Sequence, residues 1–137
     1  MGKLIVELEI ANYDDVRMAE CGHLAPEKVR RTTLRGIVNP NVRRPILPKA
    51  LVKELGLPIH PAKVKARDSR GRWRLRSLAE AVEIQMLGRG NTYSAIVDPG
   101  AETVVIGWMV LNVLDFVLNE TKNRLTPRDP RFVIVEL

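Results

Sequence analysis

A single cysteine, Cys21, is present among 137 residues, so no disulfide forms within the chain and a disulfide-stapled secreted scaffold is excluded. Aromatic residues make up only 4% of the chain, too few for the row of exposed rings on which single-stranded nucleic acid stacks. Long apolar runs are missing as well. The most apolar stretch, Val104 to Leu118, is interrupted by Asn112 and Asp115 and falls short of the roughly 20 residues that span a bilayer. Met1 to Ile10 alternates apolar and charged residues with no basic segment followed by an apolar core, so it is expected to be a mature strand rather than a signal peptide, in a cytoplasmic protein. There is no glycine-rich phosphate loop, no Gly-x-Ser-x-Gly elbow and no His-Glu-x-x-His pair. Nucleotide hydrolases, serine hydrolases and zinc proteases therefore lack their required parts. Cys21, His23 and His60 lack a fourth ligand and the paired spacing of a zinc site. Neither a metal nor a cofactor is expected.

What is present suits one globular domain spanning residues 1–137, with 45% hydrophobic and 28% charged residues. Lys and Arg number 22 against 16 Asp and Glu, a net charge of +6. The surplus is concentrated: Lys63 to Arg76 holds seven basic residues and one acidic, as much net charge as the whole chain carries. Such a stretch is either a solvated charged face or a cationic lid for an acidic partner.

Leu4, Val6, Leu8 and Ile10 recur at a period of two and predict a strand with one core face. Asn12 to Pro26 turns polar and irregular and is expected to be a long loop or a distorted hairpin. A strand is expected over Val29 to Val38, broken by Asn39-Pro40-Asn41. A short helix follows from Pro48 to Leu57, with Pro48 at its first position and Gly56 as its cap. Lys63 to Arg76 predicts a hairpin turning at Asp68-Ser69, with one basic and one apolar face and Trp73 on the apolar side. A strand over Val82 to Met86 is expected to turn through Gly88-Arg89-Gly90-Asn91 into another over Thr92 to Val97. Val104 to Ile106 reads as a short buried strand, Gly107 to Phe116 as a second helix with Trp108 packed at its start, and Phe132 to Leu137 as a final strand.

Ile37-Val38-Asn39-Pro40-Asn41 recurs 59 residues later as Ile96-Val97-Asp98-Pro99-Gly100, and Leu55 then falls on Leu114. Each copy reads as strand, sharp loop, short strand and helix. This suggests two related halves about a pseudo-twofold axis.

These residues resemble the retropepsin-like aspartic proteases, in particular the small single-domain clan AA proteins of microbes. In that family an N-terminal strand is followed by two apolar residues and Asp-Thr/Ser-Gly-Ala, then Leu-Pro, a helix and Leu-Gly-Leu. Here the line reads Gly36-Ile37-Val38-Asn39-Pro40-Asn41-Val42, Leu47-Pro48 and Leu55-Gly56-Leu57. The family's flap hairpin is similar to Lys63 to Arg76, its second apolar-apolar-Gly and helix to Val105-Ile106-Gly107 through Leu114, and its close to Asn123-Arg124-Leu125-Thr126-Pro127. The resemblance implies a mainly β, closed-barrel acid protease fold with two short helices and a flap. It further implies a homodimer whose groove lies between two subunits. Met1 to Ile10 and Phe132 to Leu137, two apolar edges, are the expected interface strands.

The departure lies at the catalytic position. Aspartic proteases activate water between two carboxylates that share one proton. The aligned residue here is Asn39, whose amide does not ionise at useful pH. Spontaneous conversion to Asp is disfavoured, because the usual cyclisation uses the next backbone N–H and Pro40 has none. Asp98 is the rival carboxylate: a displaced catalytic residue on one reading, a turn aspartate on the other. The resemblance therefore implies an aspartic-type peptidase that has lost its catalytic residue. Its expected role is a dimeric peptide- or protein-binding module, with Asn39, Pro40 and Asn41 on the floor and Arg67, Asp68, Ser69, Arg70, Gly71 and Arg72 in the flap. The alternatives are an active aspartic endopeptidase using Asp98 and a basic nucleic-acid-binding module. The expected ligand is a peptide or protein, acidic if the basic hairpin selects it, with no membrane partner.

Overall fold

The computed structural model describes residues 3–68 and 70–137. Nine strands and three short helices follow one another as β1 (Leu4–Asn12), α1 (Tyr13–Glu20), β2 (Arg31–Val38), β3 (Ile46–Pro48), α2 (Lys49–Glu54), β4 (Val64–Arg67), β5 (Trp73–Met86), β6 (Arg89–Asp98), β7 (Val104–Ile106), α3 (Trp108–Val113), β8 (Phe116–Asn119) and β9 (Arg124–Pro127). Six of the strands close on themselves in the order β1-β2-β7-β3-β6-β5, with β5 returning to β1, and β4 extends the outer side of β5. The ring is closed where Glu9–Asn12 of β1 pair with Val82–Gln85 of β5. The protein is therefore mainly β, built on a closed six-stranded barrel.

Alternation fills the barrel. Val6, Leu8 and Ile10 of β1, Val82, Ile84 and Met86 of β5, and Tyr93, Ala95 and Val97 of β6 all point inward and are buried in one cluster. Leu51, Val52 and Leu55 in and after α2, and Val110, Leu111 and Leu114 in and after α3, join the same cluster. Among the described residues no helix is long and apolar enough to cross a membrane.

The internal repeat becomes a reciprocal pairing. The long strand of each half runs parallel to the short strand of the other, Gly36 opposite Val104 and Ile46 opposite Ile96, while the two short strands meet antiparallel at Ile46 and Val105. Leu55 and Leu114 are equivalent in fact: each ends its helix, and each is buried. The next residue in each half is left-handed, Gly56 at φ +58° and Asp115 at φ +61°.

Several expectations are corrected. There are three α-helices rather than two, because Tyr13–Glu20 forms α1 where a loop was expected. This helix buries none of its residues, so no apolar period betrays it. It is set by Asn12, whose side chain accepts from the Asp15 amide at 3.1 Å, and by Asp14 and Asp15 in the first turn. Pro48 ends β3 and precedes α2 instead of opening it. The turn between β5 and β6 sits at Leu87-Gly88, with Met86 paired to Arg89, rather than over Gly88 to Asn91. Both turn residues are left-handed, a conformation no propensity assigns to leucine. Phe116 begins β8 instead of ending the second helix. Phe132 to Leu137 forms no strand. Its backbone hangs on side chains instead, the Ile134 amide donating to Asp115 Oδ2 at 2.9 Å and Arg89 donating to the Phe132 carbonyl, as it also does to that of Asp129 just before the segment. Met1 and Gly2 of the first expected interface strand lie outside the described residues; from Leu4 it is paired to β2 and, from Glu9, to β5.

Candidate functional site

Two loops of equal design follow β2 and β6. After β2, Asn39 Oδ1 accepts the Asn41 amide at 3.0 Å and the Asn39 carbonyl accepts the Val42 amide at 3.2 Å. After β6, Asp98 Oδ1 accepts the Gly100 amide at 2.9 Å and the Asp98 carbonyl accepts the Ala101 amide at 3.2 Å. Each side chain thus holds its own turn, the local bonding that Asn and Asp supply at chain reversals. The first loop is further clamped by α3, whose first amides, from Trp108 and Met109, donate to the carbonyls of Val42 and Arg43 at 2.8 and 3.0 Å. Gly107 permits that approach, since a Cβ there would lie 2.5 Å from the Arg43 carbonyl oxygen and 2.6 Å from that of Val42.

Between these loops and the β4–β5 hairpin runs a groove of about 780 Å³. Its floor is a row of β-branched side chains in register, Val105, Ile46 and Ile96, one from each of three adjacent strands. One end is formed by Asn39, Asn41, Arg43 and Arg44, the other by β4, Asp68 and the β5 residues Arg74 and Arg76. Five consecutive residues, Val64 to Asp68, line it. A strand offering both of its faces in turn must front the groove with its edge, and β4 pairs only with β5 among the described residues, so that edge is unpaired.

The hairpin departs from the expected division into a basic and an apolar face. Val64 stands opposite Arg76, Lys65 opposite Leu75, Ala66 opposite Arg74 and Arg67 opposite Trp73. Directly opposed residues share a face, so each face mixes both kinds: Val64, Ala66, Arg74 and Arg76 on one, Lys65, Arg67, Trp73 and Leu75 on the other. Strand alternation alone gave the wrong answer because the basic phase of β4 meets the apolar phase of β5. Trp73 is accordingly 61% exposed, with the Arg67 guanidinium 5.5 Å from its ring, rather than packed in a core. Trp108 is 39% exposed under Arg43 at 5.7 Å, again not the packed residue expected.

Asp68 organises the hairpin tip. Its carboxylate accepts the amides of Arg70 and Arg72, both at 2.9 Å, and the Arg72 Nε at 3.1 Å. The backbone N–H of Arg72 above all holds its carboxyl below the usual range. Asp98 lies 3.8 Å from Arg76 Nε, a cation on the hairpin side of the groove.

Of the residues singled out from sequence, Asn39, Asn41, Arg67, Asp68 and Asp98 come together on this one groove. Pro40, Arg70, Gly71 and Arg72 are not part of its lining, and Ser69 lies outside the described residues. Arg43, Arg44 and the apolar floor escaped the sequence reading. The doublet Arg43-Arg44 directly after the turn was the available signal, and the floor needed the strand register. Among the described residues no three His, Cys, Asp or Glu side chains gather where a metal could be held. The groove offers cations, the amides of Asn39 and Asn41, two ion-paired turn carboxylates, Asp68 and Asp98, an apolar floor and an open strand edge. Neither a protein-family model nor a curated protein sequence matches the chain.

Proposed function

We propose that the protein is a retropepsin-like aspartic protease homologue that has lost catalysis and binds peptide segments in the groove, as a homodimer. The observation that carries this reading is Asn39. The position that the family resemblance equates with the catalytic carboxylate lines the groove as an amide, its Oδ1 already bonded to the Asn41 amide. Asp98, the repeat equivalent of Asn39, supports the same reading. Its Oδ1 is used in its own turn, and a guanidinium stands beside it.

The unpaired edge of β4 and the β-branched floor favour a peptide as occupant, because an extended chain adds to a sheet edge through its own N–H and C=O groups while alternate side chains enter pockets. A library of unstructured peptides passed over immobilised protein is expected to yield bound peptides that elute intact by mass spectrometry. Ala66→Trp, which fills the groove under the hairpin, is expected to remove that retention. Cleaved eluates would contradict the loss of catalysis, and retention unchanged by Ala66→Trp would contradict the groove.

A further inference from the structure

We propose that the groove selects extended segments in which acidic and β-branched residues alternate. This inference rests on the reading of the groove as a peptide site and assigns its ligand class. Two features carry it. Along the floor, Val105, Ile46 and Ile96 form a continuous apolar row, a surface for the side chains on one face of an extended ligand, which are every second residue. Around that row the charge is one-sided. Arg43 and Arg44 stand on the loop side, Arg74 and Arg76 on the hairpin side.

The two carboxylates of the lining do not neutralise this set. Asp68 is engaged by Arg72 and by the tip amides, with Arg74 at 3.8 Å, and Asp98 faces Arg76 alone. Among the described residues Arg43 and Arg44 meet no carboxylate within ion-pair distance; Arg43 lies over the Trp108 ring instead. A guanidinium presents a planar fork of donors that a carboxylate accepts in pairs. A ligand carboxylate at the loop side would therefore find an unmatched partner, and a neutral side chain would leave it unmatched.

A polyanion such as single-stranded nucleic acid would also meet the cations. It has no use for the β4 edge or for a floor of aliphatic side chains, and the one ring stacked by an arginine on the hairpin, Trp73, points to the opposite face from Arg74 and Arg76.

The test is fluorescence anisotropy of the full chain with three labelled probes: a decapeptide alternating Glu and Val, the same peptide with Gln for Glu, and oligothymidylate. The Glu peptide is expected to bind about tenfold more tightly than the Gln peptide, the worth of one hydrogen-bonded charge pair. That advantage is expected to vanish in the double variant Arg43→Gln/Arg74→Gln, two exposed positions. It is expected to persist in Lys122→Gln/Arg124→Gln, which removes equal charge away from the groove. Equal binding of both peptides overturns the acidic selection and leaves the peptide groove standing. Binding of neither peptide overturns both. A comparable loss in the distant double variant shows diffuse attraction and overturns the site. Tighter binding of oligothymidylate, steeply salt-dependent and lost in Arg43→Gln/Arg74→Gln, overturns the proposal in favour of nucleic acid. The wild-type comparison of the two peptides decides the matter even where a variant fails to fold.

Discussion

Asn12 sits at the end of β1, only 1% exposed, and each half of its amide is committed. Oδ1 caps α1, and Nδ2 donates to the carbonyls of Leu55 and Gly56 at 2.9 and 3.2 Å. Asn12→Ala removes the cap and the donor to the buried Leu55 carbonyl, at an expected cost of about 2–3 kcal/mol in urea unfolding. Asn12→Asp keeps the cap but turns an oxygen toward those carbonyls, so it is expected to cost more than Asn12→Ala at neutral pH. That order is expected to narrow in acid, as the carboxyl gains a proton it can donate.

Asp15 titrates in the opposite sense. Hydrogen bonds from the Arg30 side chain, with Nε at 2.8 Å and NH2 at 3.0 Å, hold its carboxyl below the ordinary range despite partial burial. A folded-state pKa below the unfolded one stabilises above the unfolded value and is lost as pH falls through the folded one. Asp15→Asn is therefore expected to cost about 1 kcal/mol at neutral pH, modest because Arg30 is half exposed. Thermal melts of wild type and variant should converge on acidification. At this scale the sequence was partly legible. Asn39 and Asp98 could be picked out as the chemical centre of interest, but that both are turn-holding residues of one design follows only from their hydrogen bonds.

Among the elements, β1, β2, β7 and α2 follow from period and punctuation, because each carries an apolar phase that must be buried. α1 has no such phase, so only its cap could reveal it. The β5–β6 turn fails for a different reason: Leu87 is 60% exposed at φ +51°, a strained choice that the strand pairing on both sides imposes. Asn accepts that conformation more readily and forms the favoured pair with Gly88. Leu87→Asn is expected to raise stability by about 0.5–1 kcal/mol, read as a higher urea midpoint with unchanged slope; a fall would contradict the left-handed turn. The β4–β5 hairpin was legible as a hairpin and as the seat of the net charge. Its faces were not, because a period of two fixes the alternation within each strand while the register between strands decides which phases coincide.

For the whole molecule, the repeat at a separation of 59 residues pointed to two related halves, and their reciprocal pairing came only with the structure. Barrel closure through β1 and β5 was beyond the repeat, as non-local pairing leaves no mark on one segment. The tail shows the same limit. Its apolar alternation reads as a strand, yet Asp115 and Arg128 hold it as an extended strap with Phe132 64% and Val135 73% exposed. In the proposed homodimer those side chains are covered by the second copy. Sedimentation equilibrium is expected to give twice the 15.4 kDa of one chain, and truncation after Arg131, which removes nothing from the core cluster, should give a folded species of one chain's mass. A wild-type mass of one chain would contradict the dimer.

The loss of catalysis is tested most directly by cleavage of an unfolded protein substrate at acid pH, with and without pepstatin, by wild type and by Asp98→Asn, a variant that can keep the Gly100 turn bond. The account predicts no pepstatin-sensitive cleavage by either protein. Pepstatin-sensitive cleavage by the wild type that disappears in Asp98→Asn would contradict it.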